Sequence, residues 1–108
     1  MFEENEVREA TLEYFSGDEL ATNVFMTKYC LRDKKGNFME KTPDDMHRRL
    51  AKEFARMEDK FITRKSNHLT EEEIYSYLQN FQHIVPQGSP MMGIGNDYLN
   101  VSLSNCVV

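Results

Sequence analysis

The chain has 108 residues, 40% hydrophobic and 29% charged, with only 5 Gly and 3 Pro, which excludes collagen-like, low-complexity and wholly disordered classes. No apolar run approaches the roughly 18 residues of a membrane span, and the acidic opening MFEENEVREA lacks the basic-then-apolar order of a secretory signal. The net charge of -5 argues against a general nucleic-acid binder, because phosphate binding needs a surplus of Lys and Arg.

The first predicted element is a helix over 3–15, with Val7, Ala10 and Tyr14 or Phe15 on one side, interrupted by Ser16-Gly17-Asp18. A second amphipathic stretch, Glu19 to Leu31, carries Leu20, Val24, Phe25 and Cys30 among polar residues. Asp33-Lys34-Lys35-Gly36-Asn37 reads as a turn or hairpin loop. The strongest helix starts at Thr42: Thr42 can cap, Pro43 suits the first helical position, and Asp44 and Asp45 favour the positive end of the dipole. Met46, Leu50, Phe54, Met57 and Phe61 then recur at helical spacing as one apolar stripe. His47, Arg48, Arg49, Lys52, Glu53, Arg56 and Asp59 fall on the other faces. Of these, Arg48, Arg49, Lys52 and Arg56 are balanced by acids and read as a solvated face. A further helix begins at Thr70, where Thr-Glu-Glu-Glu offers a capping box, and points Ile74, Tyr77, Leu78 and Phe81 inward.

Beyond Pro86 the pattern changes. Pro86-Gln87-Gly88-Ser89-Pro90 and Gly93-Ile94-Gly95-Asn96-Asp97 are both turn chemistry, and 99–108 alternates with period two. Leu99, Val101, Leu103 and Val107 share one face of that strand; Asn100, Ser102, Ser104 and Cys106 share the other. The charge changes too: residues 1–65 hold all 13 basic side chains, and 66–108 contain no Lys or Arg. A charged helical front therefore precedes a neutral segment suited to burial. The ending on apolar VSLSNCVV suggests a piece of something longer.

Two cysteines, Cys30 and Cys106, lie far apart with no C-x-x-C, which points to a reduced, cytoplasmic setting rather than a disulfide framework. Cys106 sits on the polar face of its strand, where a cysteine kept for packing would not fall. That fits a strand lining a polar cavity, although a half-exposed strand cysteine has the same parity. Cys30, inside an amphipathic stretch, reads as packing. His47, His68 and His83 have no metal-ligand spacing and read as surface or capping residues. Gly93-Ile94-Gly95 is not a dinucleotide fingerprint, since no helix pattern follows it.

The run FSGDELATNVFMTKYCLRDKKGNFMEKTPDDMHRRLAKEFARME resembles the N-terminal helical region of ribonucleotide reductase catalytic subunits, where K-Y-[AC]-L-R-D precedes a T-P-x-[DE]-M helix. IVPQGSPMMGIGNDYLNVSLSNCVV resembles the opening of that family's ten-stranded α/β barrel, including its S-x-x-C-V element. The resemblance covers nearly the whole chain from about Thr11. It implies a mainly α chain: an N-terminal helical region, 1–85, followed by the first strand or strands of the barrel, 86–108. It also implies that Met91-Met92 packs in the barrel.

In such enzymes a protein thiyl radical takes the ribose 3′ hydrogen, the 2′ hydroxyl leaves as water, and a cysteine pair supplies two electrons. Cys106 matches one cysteine of that pair. Ser89 matches a Ser or Thr that helps hold the substrate's ribose or phosphate. Asn105 lies where relatives often carry a substrate-contacting serine, although its parity places it with Leu103 and Val107 unless the strand bulges. The partners implied are the remainder of the catalytic subunit, a ribonucleotide, a thioredoxin-type reductant and, as an option, a second copy in a homodimer, with neither nucleic acid nor membrane. The complete enzyme implies adenosylcobalamin or a separate metal-containing subunit, with a lean to cobalamin and to diphosphate substrates; no cofactor is expected on this chain. Because the radical cysteine and the second redox cysteine lie downstream in the family, an N-terminal fragment, inactive alone, is expected. Two other readings stay open: a free-standing helical interaction module whose strand 99–108 extends a partner's sheet edge, and a small thiol enzyme pairing Cys106 with a histidine.

Overall fold

The computed structural model describes residues 1–61, 69–86 and 88–97. Helix α1 spans Glu4–Tyr14 and α2 spans Glu19–Val24, continuing as a π-helical turn over Phe25–Tyr29. Helix α3 runs Pro43–Phe61, α4 Glu71–Leu78 with a 3-10 turn at Gln79–Phe81, and α5 Gly88–Gly93. Among the described residues there is no strand. Phe38 makes isolated antiparallel bridges to Phe2 and Arg32. The mainly helical expectation agrees with this, while the predicted strand at 99–108 lies outside the described residues. No described helix is long and apolar enough to cross a membrane.

The local signals act as their chemistry requires. Ser16 and Gly17 take positive φ after α1, and the Asp18 carboxylate then caps α2 by accepting from the Ala21 N–H at 3.0 Å. In the turn at 33–37, Asp33 Oδ1 accepts from the Lys35 and Asn37 N–H groups, each at 2.9 Å. The Asn37 side-chain amide binds the other oxygen at 3.0 Å. These bonds, the side-chain one first, hold the Asp33 carboxyl below its ordinary range. Asp45 closes the start of α3 by accepting from Lys41 N–H at 2.9 Å. Thr70 and Glu73 form the reciprocal capping box of α4.

Two apolar clusters make the core. Val7, Phe25, Met26, Cys30, Phe38 and Met46 form one; Leu50, Ala51, Ile74 and Leu78 form the other. Met91 of α5 packs against both, so this short helix is a wedge between them. Met91 thus packs in the helical core, while the barrel in which Met91-Met92 is expected to pack lies outside the described residues.

Several side chains depart from the predicted faces. Leu20 is 75% exposed, and Phe54, Met57 and Tyr77 are also exposed. The 19 residues of α3 span about 28 Å, whereas α4 has 8 residues. Burial on α3 therefore follows what its shorter neighbours cover: Met46, His47, Leu50 and Ala51. His47 is fully buried, which corrects its reading as a surface or capping residue. It belongs to the inner face because it lies four residues after Pro43 and three before Leu50. Phe81 reaches this histidine through a left-handed backbone, φ 56°. Its ring meets His47 edge-on at 4.6 Å and stacks near Phe15 at 6.3 Å.

Candidate functional site

The feature that organises the far end of the described chain is a buried ion pair. The Arg49 and Glu40 side chains are only 8% and 5% exposed, with Arg49 Nε donating to Glu40 Oε2 at 2.9 Å. Arg49 therefore leaves the solvated face on which its charged neighbours suggest it belongs. Arg48 and Arg56 remain exposed and pair with Glu72 and Glu53. Burial of an arginine requires that its donors be used, and they are. Arg49 Nη1 donates to the Ile94 carbonyl at 2.5 Å and Nη2 to the Met91 carbonyl at 2.6 Å. Longer contacts reach Tyr29 O and Glu40 Oε1, both at 3.4 Å.

Glu40 is anchored in turn, with Oε1 accepting from the Leu31 N–H at 2.9 Å. Its backbone carbonyl accepts from the Cys30 thiol at 3.2 Å. Burial, and then the neighbouring Glu40 charge, push the Cys30 thiol up to about 12. The thiol is protonated at neutral pH and packs in the core, in keeping with its sequence reading. Alkylation of folded protein at pH 8 should proceed at Cys30 about a thousandfold more slowly than at an ordinary thiol. Mass spectrometry against a urea-unfolded control measures this, and fast labelling in the native state would contradict it.

The segment that Arg49 holds is α5 with the turn after it. Gly88, Ser89 and Pro90, expected in a turn, instead form the first half of this helix. Pro90 is tolerated because its missing N–H falls among the first donors of a helix, which have no internal partner. The Ile94 N–H donates to the Pro90 carbonyl at 3.1 Å and that of Asn96 to Gly93 at 3.1 Å. The Asn96 side chain donates to the Met92 carbonyl, also at 3.1 Å. Gly95 then takes φ +72°, and a Cβ built there would stand 2.9 Å from Arg49 Cγ. Both the left-handed backbone and the close approach call for glycine.

Ser89 lies in the first turn of α5, and its side chain is outside the described part of the structure. Cys106 and Asn105 lie outside the described residues altogether. Sequence reasoning missed Glu40, Arg49 and His47. Helical phase signals only His47, which shares a stripe with Pro43 and Ala51; no local signal marks Glu40 or Arg49.

Beside the Arg49–Glu40 pair and Gly95, an open cleft of about 730 Å³ is lined by charged residues including Arg48, Lys52, Arg56, Glu53, Glu71 and Asp97. Acidic and basic side chains both line it. Among the described residues no three His, Cys, Asp or Glu side chains gather as a metal site.

Comparison with known proteins gives one finding. The family model described as ribonucleotide reductase, all-alpha domain, matches residues 15–97, most of the chain and all of the Arg49-centred assembly. No curated protein and no solved structure matches significantly.

Proposed function

Because the chain belongs to the ribonucleotide reductase all-alpha domain family, we propose that it supplies the helical part of a catalytic subunit together with the start of its barrel. Residues 1–85 are the helical region and 86–108 lead into the barrel. The observation that carries this reading is the family match across 15–97, which spans α2 to α5. It favours the reductase over the edge-strand interaction module and the small thiol enzyme.

In the proposed reaction one ribonucleotide, preferably a diphosphate, and two cysteine thiols give one deoxyribonucleotide, one water and one disulfide. The C2′–O bond breaks, a C2′–H bond forms, and the two electrons come from the thiol pair. Cys106 is one thiol of that pair, its partner lying in the remainder of the catalytic subunit. A thioredoxin-type dithiol then restores the pair by exchange. Ser89 and Asn105 hold the substrate through a hydroxyl and an amide, both able to donate hydrogen bonds. Adenosylcobalamin or a separate metal-containing subunit supplies the initiating radical; no residue of this chain is assigned to either. The enzyme works in the cytoplasm, where the pair is kept reducible, and the chain alone reduces no ribonucleotide.

The test is Cys106→Ser in enzyme assembled from this chain and the rest of the catalytic subunit. Turnover driven by a thioredoxin-type reductant should vanish, while Cys30→Ser should leave it near wild type. Undiminished turnover of the Cys106 variant would remove this residue from the reaction.

A further inference from the structure

We propose that Arg49 is a positioning residue: its guanidinium holds helix α5, and so the Ser89 backbone, at a set place on α3. The role of Ser89 rests on the reductase reading; the grip of Arg49 on α5 does not.

Helix α5 has little reason to exist alone. It has six residues, GSPMMG, two of them glycine and one proline. Isolated helices this short are unstable in water, and glycine and proline are the poorest helix formers. The Met91 contacts with both clusters bury one side chain but do not specify where the helix ends. Arg49 does, because its two terminal nitrogens reach the carbonyls of Met91 and Ile94 at 2.6 and 2.5 Å. Those carbonyls lie at the end of α5, where the last C=O groups lack intrahelical donors and a cation is favoured.

The choice of a buried ion pair also needs explaining. Apolar residues of similar volume often stabilise a core as well as or better than a buried salt bridge, and Leu50 and Ala51 beside it are apolar. What apolar residues cannot supply is directed donation. The planar fork of arginine binds Glu40 along one edge and aims at α5 with the rest. Glu40 fixes the fork's rotation, since its own carboxylate is tied to the Leu31 N–H. Gly95 completes the seat, lying so close to Arg49 Cγ that any side chain there displaces it. The line of positioning thus runs from the 31–40 segment through Glu40 and Arg49 to α5.

Lysine at 49 keeps the charge that neutralises Glu40 but cannot serve Glu40 and two carbonyls together. In Arg49→Lys, backbone amide exchange at Ile94 and Asn96 should quicken at least tenfold, while exchange at Ile74 in α4 stays within twofold of wild type. In the assembled enzyme the same variant should raise KM for the ribonucleotide about tenfold and lower kcat less than threefold. Gly95→Ala, which disturbs the seat from the other side, should reproduce the exchange pattern and serves if Arg49→Lys fails to fold. Unchanged exchange at Ile94 and Asn96 in a folded variant would overturn the grip. Quickened exchange with unchanged KM would overturn its link to substrate. If the wild-type assembly reduces no ribonucleotide, the reductase reading fails, while the exchange result still decides the role of Arg49 on α5.

Discussion

Replacing Arg49 with methionine should destabilise the chain by about 3–5 kcal/mol, the usual cost of removing one partner from a buried pair. The loss is not the worth of the contact itself. Methionine fills much of the same space, but it leaves the Glu40 carboxylate buried without its countercharge. It also leaves the Met91 and Ile94 carbonyls without the donors they now use. A domain of this size has a total stability of about 5–15 kcal/mol, so the variant should lose a large share of its stability. Urea unfolding followed by circular dichroism measures this as a fall in midpoint. Adding Glu40→Gln should recover part of the loss, because the orphaned charge is gone while an acceptor remains for the Leu31 N–H. If the single variants simply add, the two side chains do not act as a pair.

The second large effect is a pH dependence centred on His47. Both ring nitrogens are buried without a hydrogen-bond partner. Burial lowers its pKa, and the Asp44 carboxylate works in the opposite direction less strongly. Phe81 meets the His47 ring, and Tyr14 of α1 shares Asp44 as a charged neighbour. Tyr75 of α4 hydrogen-bonds Asp44. Burial, then the same Asp44 carboxylate, raises Tyr14 above its ordinary range, so it stays protonated throughout the acid range. The sign follows directly. The unfolded chain takes up a proton near pH 6.5 while folded His47 resists it. Stability is full above that pH and declines as pH falls through the folded value, by at most about 1.4 kcal/mol per pH unit. His47→Leu removes both the titration and two unsatisfied nitrogens. It should be more stable than wild type at pH 5.5 by about 1–2 kcal/mol, with a flatter profile between pH 7.5 and 5.5. Parallel profiles for the two proteins would show that His47 does not carry the effect.

How far the fold and the site were legible depends on the range of the interaction in question. The break at Ser16-Gly17-Asp18, the Asp33 turn, the placement of Pro43 and the Thr70–Glu73 box were all readable. Each rests on groups a few residues apart. Cys30 was readable as a packed residue for a related reason: it lies in a stretch whose apolar partners, Phe25 and Met26, are near in sequence. The family was legible from K-Y-C-L-R-D and T-P-D-D-M, both inside the region that the family model matches. Phe54 and Met57 continue the stripe of α3 in phase, yet they are exposed. Periodicity identifies an apolar face but carries no information on how far along it a neighbour extends.

The sequence by itself determined the helical class, the starts of α3 and α4, and the family. Those follow from short-range capping, local turn chemistry and motif wording. Only the tertiary structure decided that Arg49 is an interior residue and that GSPMMG is a helix. A charged residue is buried only where distant groups accept all its donors, here Glu40 and the carbonyls at 91 and 94. A helix with poor propensity forms only where something outside it holds its end. Both conditions depend on residues about 10 to 45 positions away meeting in space, as in the bonds from Arg49 to Glu40 and to Ile94, and local pattern does not encode that meeting.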